Sequence, residues 1–176
     1  MGYEHQLFYK QKEVENNLRR IGHLDLPELT PILGSKEQYF YRNKMEFSFS
    51  DSRWLTLDEI QSDNQIEDKN ALGFHIRTLM IRTSSNGEIM VLVQFFENDK
   101  EKRELLLNHL SITFPEITSL LYVINPKQND TIYDQEIICF AGRDHIFEEM
   151  EGLKFKINAK SFYQTNSEQA YELYKI

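Results

Sequence analysis

Arg42 and Lys44 stand two residues apart in the stretch YRNK. On an extended strand, residues i and i+2 share a face and lie roughly 7 Å apart. Two cations at that interval match successive phosphates along one nucleic-acid strand. Standing alone, the pair is equally the polar face of a solvent-facing strand. A second stretch, SFYQTN at residues 161–166, places Phe162, Tyr163 and Gln164 between an expected strand and an expected helix N-terminus. Loops in such positions tend to carry ligands. An aromatic ring there can stack on a base, and a glutamine amide can donate and accept at one edge. The plain alternative is a loop that packs on the core.

Covalent chemistry finds little support. The one thiol, Cys139, lies in EIICFAG with Ile138 and Phe140 as neighbours. A cysteine in that setting is expected to be a buried strand residue that behaves as a small hydrophobe. The five histidines, His5, His23, His75, His109 and His145, form no i, i+4 pair and no metal motif. A G-x-S-x-G elbow, a G-x-G-x-x-G turn and a Walker pattern are all missing. No complete active site and no metal site can be read from local chemistry.

The elements that must position these residues follow from periodicity. GYEHQLFYKQKEVENNLRRIG predicts a surface helix. Leu7, Val14, Leu18 and Ile21 form its stripe, Gln11 fills the gap, and Gly22 is the stop. Lys10, Lys12, Arg19 and Arg20 lie off the stripe and are read as solubilising charges. YFYRNKMEFSFS alternates as a half-buried strand, with Tyr39, Tyr41, Met45, Phe47 and Phe49 on one face and Arg42, Lys44, Glu46 and Ser48 on a charged outer face. An acid-rich connection runs from Asp51 to Lys69, and ALGFH is a short strand with a bulge at Gly73. IRTLMIRTSSNGEIMVLVQFF is a hairpin turning on positive φ angles at Asn86-Gly87. NDKEKRELLLNHLSITFP is a helix with an Asn98–Glu101 capping box, and Pro115 follows its end. ITSLLYVI, TIYDQEIICFAG, HIFEEM and LKFKI are strands, with Gly142 and Gly152 in their turns. Thr165 to Glu168 reads as a capping box opening a last helix, whose Ala170, Leu173 and Tyr174 share a face. The sum is an α+β fold, an antiparallel-rich sheet with flanking helices.

Composition narrows the function classes. The chain has 176 residues, 40% of them hydrophobic, and a net charge of −8. One domain is the expectation from that length. The negative charge counts against indiscriminate nucleic-acid binding, while leaving room for a local basic patch. The acidic runs at Asp58–Asp68 and at Glu148, Glu149 and Glu151 are read as solvated surface. A single cysteine permits no internal disulfide and no multi-cysteine zinc or iron–sulfur site. No apolar run has the length of a membrane span and no secretory leader pattern opens the chain, so no membrane partner is expected and the cytoplasm is the expected location.

Taken in order, QKEVENNLRRIG, YRNKMEFSFS, NALGFH, RTLMIRTSSNGE, EITSLLYVIN and KSFYQTNSEQAYELY resemble the bacterial RNA (uracil-5-)-methyltransferases. The likeness runs over nearly the whole chain. It is most specific around residues 41–50 and 160–176. The resemblance implies an S-adenosylmethionine-dependent enzyme acting on tRNA or 23S rRNA. It further implies an N-terminal oligonucleotide-binding module, often with an iron–sulfur cluster, then a central domain, then a Rossmann-like methyltransferase domain. On this reading residues 1–176 are the central, RNA-facing domain. Residues 165–176 then begin the helix that leads into the methyltransferase domain. The family's cysteine nucleophile and general base lie in D-P-P-R-x-G and S-C-N motifs, and neither occurs here. The nucleophile is therefore not assigned to Cys139, and the chain by itself is expected to be inactive. By resemblance, Gln164 contacts S-adenosylmethionine and Phe162 lies against the target base or cofactor, while Arg42 and Lys44 are expected on RNA. The family also places a further segment between the equivalents of His75 and Ile76. The rival expectation is a non-catalytic adaptor that binds RNA or protein.

Overall fold

The computed structural model describes residues 1–50, 55–61, 76–127 and 129–176. In chain order its elements are α1 (Tyr3–Asn16), a π-helical turn (Asn17–Ile21), β1 (Lys44–Ser48), α2 (Leu57–Gln61), β2 (Ile76–Thr83), β3 (Ile89–Phe95), α3 (Lys100–Thr113), β4 (Ile117–Ile124), β5 (Ile137–Gly142), β6 (His145–Met150), β7 (Leu153–Asn158) and α4 (Ser167–Tyr174). The fold is α+β, as expected. Two compact units divide the chain: Met1–Tyr41 with Glu168–Ile176, and Arg42–Ser167. The expected strand over ALGFH, its bulge at Gly73, and most of the acid-rich connection lie outside the described residues.

In the larger unit, five strands make one sheet in the order β1-β2-β3-β4-β5. All neighbours are antiparallel except β3 and β4, which run parallel through the crossover helix α3. Alternation along β3 sends Val91, Val93 and Phe95 to one face, where they pack with Leu107 of α3 and Leu120 of β4. Leu107 is wholly buried, and such burial stabilises by about 1.5–3 kcal/mol. Met80, Met90 and Leu92 occupy the opposite face with Leu121 and Val123. There the β6–β7 hairpin covers them through Ile146 and Ile157. The sheet thus lies between one helix and one hairpin.

Local chemistry sets the turns. Between β2 and β3 only Gly87 takes a positive φ, +83°, and Asn86 does not. The Gly87 N–H donates to the Ser84 carbonyl at 3.0 Å, a turn that closes with glycine in the left-handed position. The two-residue turn expected from Asn-Gly is found instead between β6 and β7, where Glu151 and Gly152 take φ of 52° and 77°. Helix α3 is capped by Asp99, whose side chain accepts from the Lys102 N–H at 3.1 Å. Asn98, expected in that role, accepts instead from the buried Arg103 at 2.7 Å.

The smaller unit departs from its expected stripe. Val14 and Ile21 are exposed, whereas Tyr3, Leu7, Gln11 and Leu18 are half-buried. The reason is polar docking of the following segment. Gln11 Oε1 accepts from the Ile32 N–H at 2.9 Å, and the Tyr3 hydroxyl accepts from the Ser35 N–H at 2.6 Å. Arg19, read as solubilising, donates to the Leu26 and Pro27 carbonyls at 3.0 and 3.1 Å. Gly22 is right-handed at φ −76°, and His23 supplies the left-handed residue at 51°. In α4, Ala170 is buried while Leu173 and Tyr174 are exposed.

Glu148, read as solvated, is 1% exposed. Its Oε1 accepts from the Ser85 N–H at 3.0 Å and from the Ser85 hydroxyl, and its Oε2 accepts from the Ser167 hydroxyl at 2.9 Å. These donors, brought by the β2–β3 turn and the start of α4, allow a carboxylate to sit away from water. Glu148→Ala strands them, and urea unfolding is expected to show a loss of about 2–4 kcal/mol. The exposed neighbour change Glu149→Ala should stay within about 0.5 kcal/mol. Equal effects at the two positions would remove Glu148 from this role.

Candidate functional site

An open cleft of about 510 Å³ lies on the sheet face beside the β6–β7 hairpin. Its floor comes from three adjacent strands. Register sets Lys44 opposite Arg82, Glu46 opposite Met80 and Ser48 opposite Thr78. Thr78 in turn faces Gln94, and Met80 faces Leu92. All eight of these side chains line the cleft. The face of β1 expected to look outward to solvent therefore forms a floor and wall. The face expected to be half-buried carries Met45 and Phe47, which are 48% and 43% exposed. The physical reason is that β1 is the edge strand, so what covers the centre of the sheet does not extend over it. The strand begins at Lys44, not at Tyr39.

Two loops wall the cleft. One carries Asp130, Thr131, Ile132 and Tyr133. It is organised by Asn125, which is wholly buried and donates through Nδ2 to the Asn129 and Thr131 carbonyls at 2.9 and 3.3 Å. Arg77 of β2 holds the same loop by an ion pair to Asp130 at 2.8 Å. The other wall runs from Ala159 to Tyr163 and includes Thr165. Arg82 reaches under it and donates to the Ser161 carbonyl at 2.7 Å and the Asn158 carbonyl at 3.3 Å. Lys160 ties the walls together, donating to the Tyr133 and Gln135 carbonyls at 2.9 and 2.7 Å.

The expected site residues separate into two groups. Arg42, Lys44 and Phe162 all line the cleft. Arg42 is exposed and its Nε donates to the Lys44 carbonyl at 2.7 Å, while Lys44 Nζ pairs with Glu46 at 2.7 Å. Phe162 stands at the mouth, 85% exposed. Gln164 does not line the cleft; it is half-buried, and its main-chain carbonyl accepts from Asn43 Nδ2 at 3.0 Å. Asn43 also donates to the Ser167 hydroxyl at 2.9 Å, so it pins the FYQTN loop to the start of β1. Sequence reading passed over Asn43, Arg82 and Gln94. The available signal was polarity in the wrong place: Arg82 and Gln94 interrupt apolar strands on the face where Met80 and Leu92 are buried. Burial holds the Arg82 guanidinium below its ordinary range, against the opposing pull of Glu46 and Tyr133.

Cys139 differs from expectation in being exposed, because β5 is the other edge of the sheet. Partial desolvation, then the nearby Asp144 carboxylate, push its thiol above the ordinary value. That is the wrong direction for a nucleophile at neutral pH. Among the described residues no group of three His, Cys, Asp or Glu side chains could hold a metal ion, and no helix is long and apolar enough to cross a membrane. Alkylation of Cys139 by iodoacetamide should rise with a midpoint above that of an unstructured cysteine peptide. Asp144→Asn should move that midpoint down, since it removes a charge that opposes the thiolate. A wild-type midpoint below that of the peptide would contradict this account.

No protein-family model matches the chain. A Bacteroides thetaiotaomicron protein named "uncharacterized RNA methyltransferase" is 47% identical over 225 residues, taking in 99% of this chain and 50% of the relative. A Porphyromonas gingivalis protein of the same name is 45% identical over 227 residues, with 99% and 49% covered. Both matched spans exceed this chain's 176 residues, so the relatives carry additional residues within them. Among solved structures, the Pyrococcus abyssi tRNA (uracil-54, C5)-methyltransferase, determined with S-adenosyl-L-homocysteine, is similar with a TM-score of 0.64 at 18% identity. The similarity is one of fold, and covers 99% of this chain and 47% of that one. The chain spans about half the length of the curated relatives it matches. In sequence it is similar to proteins named RNA methyltransferases, and in fold to a tRNA (uracil-54, C5)-methyltransferase.

Proposed function

We propose that this chain is the central, RNA-facing part of an S-adenosylmethionine-dependent RNA (uracil-5-)-methyltransferase that acts on tRNA or 23S rRNA in the cytoplasm. The observation that carries the reading is the cleft itself. Arg42, Lys44 and Lys160 bring positive charge to it, and Phe162 offers an uncovered ring at its mouth. Cations hold a phosphate backbone and a ring receives a base, which is how single-stranded RNA is gripped. The net charge of −8 counts against indiscriminate contact over the rest of the surface.

Within that reading, phosphate contacts from Arg42 and Lys44 set register without reading sequence. Gln164 faces the cofactor, with its main chain held by Asn43. S-adenosylmethionine supplies the methyl group when bound. This chain contributes one wall of its pocket, and residues 165–176 lead toward the methyltransferase domain that completes it. An iron–sulfur cluster, where a complete enzyme has one, draws its ligands from outside these residues, since Cys139 is the one cysteine here.

Titrating the chain with single-stranded RNA at several salt concentrations tests the patch. Lys44→Ala is expected to lower affinity alike for all sequences and to flatten the log–log salt slope by about 0.7. Lys100→Ala, on the helix across the sheet, should leave the slope as it was. An unchanged slope for Lys44→Ala returns the pair to ordinary surface charge. In the complete enzyme, Gln164→Ala should reduce methyl transfer at limiting cofactor while urea unfolding stays the same. Wild-type activity under that limitation would remove Gln164 from the pocket.

A further inference from the structure

Asn43 is half-buried and is tied to two other segments by its main chain and its side chain together. Its N–H donates to the Thr165 carbonyl at 2.8 Å, and its carbonyl accepts from the Thr83 N–H at 2.9 Å. Its Nδ2 donates to the Gln164 carbonyl at 3.0 Å and to the Ser167 hydroxyl at 2.9 Å. Both N–H groups of the side-chain amide are thereby spent on the stretch that follows Phe162.

The order of protons along this chain of bonds is forced from its far end. A carboxylate only accepts, so the Ser167 hydroxyl gives its single proton to Glu148 Oε2 at 2.9 Å. The other oxygen of Glu148 is met by the Ser85 N–H at 3.0 Å and the Ser85 hydroxyl. Ser167 then has only lone pairs to turn toward residue 43, and the Gln164 main chain offers only a carbonyl. Position 43 therefore needs two donors on one short side chain. An asparagine amide supplies them and a carboxylate of the same shape does not.

Where Asn43 sits gives this demand a function. Its sequence neighbours Arg42 and Lys44 line the cleft, as do Phe162 and Thr165 of the loop that it holds. Gln164 lies between those two and does not line the cleft, and its main chain is the part that Asn43 fixes. Without the amide, the loop keeps the main-chain bond at Thr165 and the Arg82 bond at Ser161. It loses both bonds that set the peptide plane of Gln164, and with them the direction in which that side chain leaves the loop.

We propose that Asn43 is a positioning residue for methyl transfer, which acts through Gln164 and not on the reactants. The proposal rests on the reading of Gln164 given above and deepens it, from the residue that faces the cofactor to the group that aims it. Misplacing a group that orients a reactant is enough to slow a reaction tenfold or more.

Asn43→Asp keeps the shape and removes both donors. In the complete enzyme it is expected to raise the KM for S-adenosylmethionine about tenfold, and to leave kcat and the KM for RNA within about twofold. In a Gln164→Ala background it should cost nothing further, because residues that act as one unit are not additive. Urea unfolding of the same variants in the 176-residue chain controls for folding. Should Asn43→Asp not fold, Asn43→Ala, which adds no charge, takes its place with the same expectations. Loss of the fold in both makes Asn43 a residue of the fold alone and overturns the proposal. In a folded variant, an unchanged KM for the cofactor, or a loss that adds in full to that of Gln164→Ala, also overturns it and leaves the reading of Gln164 standing. Wild-type activity of Gln164→Ala at limiting cofactor overturns both.

Discussion

A carboxylate shut away from water must be met by donors, and Glu148 is such a carboxylate. Ser85 comes to it from the turn between β2 and β3, and Ser167 from the first residue of α4. Ser167 also accepts from Asn43, which in turn holds the Gln164 carbonyl. One buried charge therefore fixes three places at once: the end of the hairpin that builds the cleft floor, the loop that builds one wall, and the residue that precedes β1. An apolar side chain at position 148 could fill the volume but could not specify which turn and which helix start meet there. The arrangement matches the known use of buried polar groups to select one register among several.

The sheet divides labour between its faces. Odd-numbered positions of β3 serve α3 and the core, and Leu92 and Gln94 serve the cleft. The hairpin β6–β7 covers the neighbouring part of that face through Ile146 and Ile157 and leaves the rest open toward β1. The cleft is thus what remains of a sheet face when its cover is too narrow. Its chemistry comes from strands, while its loops are held by side chains with other partners, Asn125, Arg77 and Lys160. Site groups placed on rigid strands are positioned more firmly than groups on loops.

Regular elements were legible where local pattern and burial agree. The hairpin β2–β3, the strand β4 and the helix α3 follow directly from periodicity and turn residues. Misreadings came where tertiary partners override local sense. Glu148 looks like one of several surface acids until Ser85 and Ser167 arrive from 63 and 19 residues away. Cys139 sits among apolar neighbours, and only strand order reveals that β5 is an edge. Arg42 and Lys44 were singled out by spacing and Phe162 by its motif, and all three line the cleft. Arg82 and Gln94 were hidden because alternation shows which neighbours share their face but not where the cover of that face ends.

The bond from Asn43 to the Gln164 carbonyl closes 121 residues of chain. Contacts that distant form only after the intervening chain has lost most of its freedom, so they come late in folding. The β2–β3 hairpin needs no such wait, since its pairs are local. The part of the floor that β2 and β3 supply therefore needs no contact from the edge strand β1 to form. A molecule that prefers the finished cleft binds the last-formed part of the native state, and by mass action it holds that part closed. Ligand binding and completion of the fold become one equilibrium at this edge of the sheet.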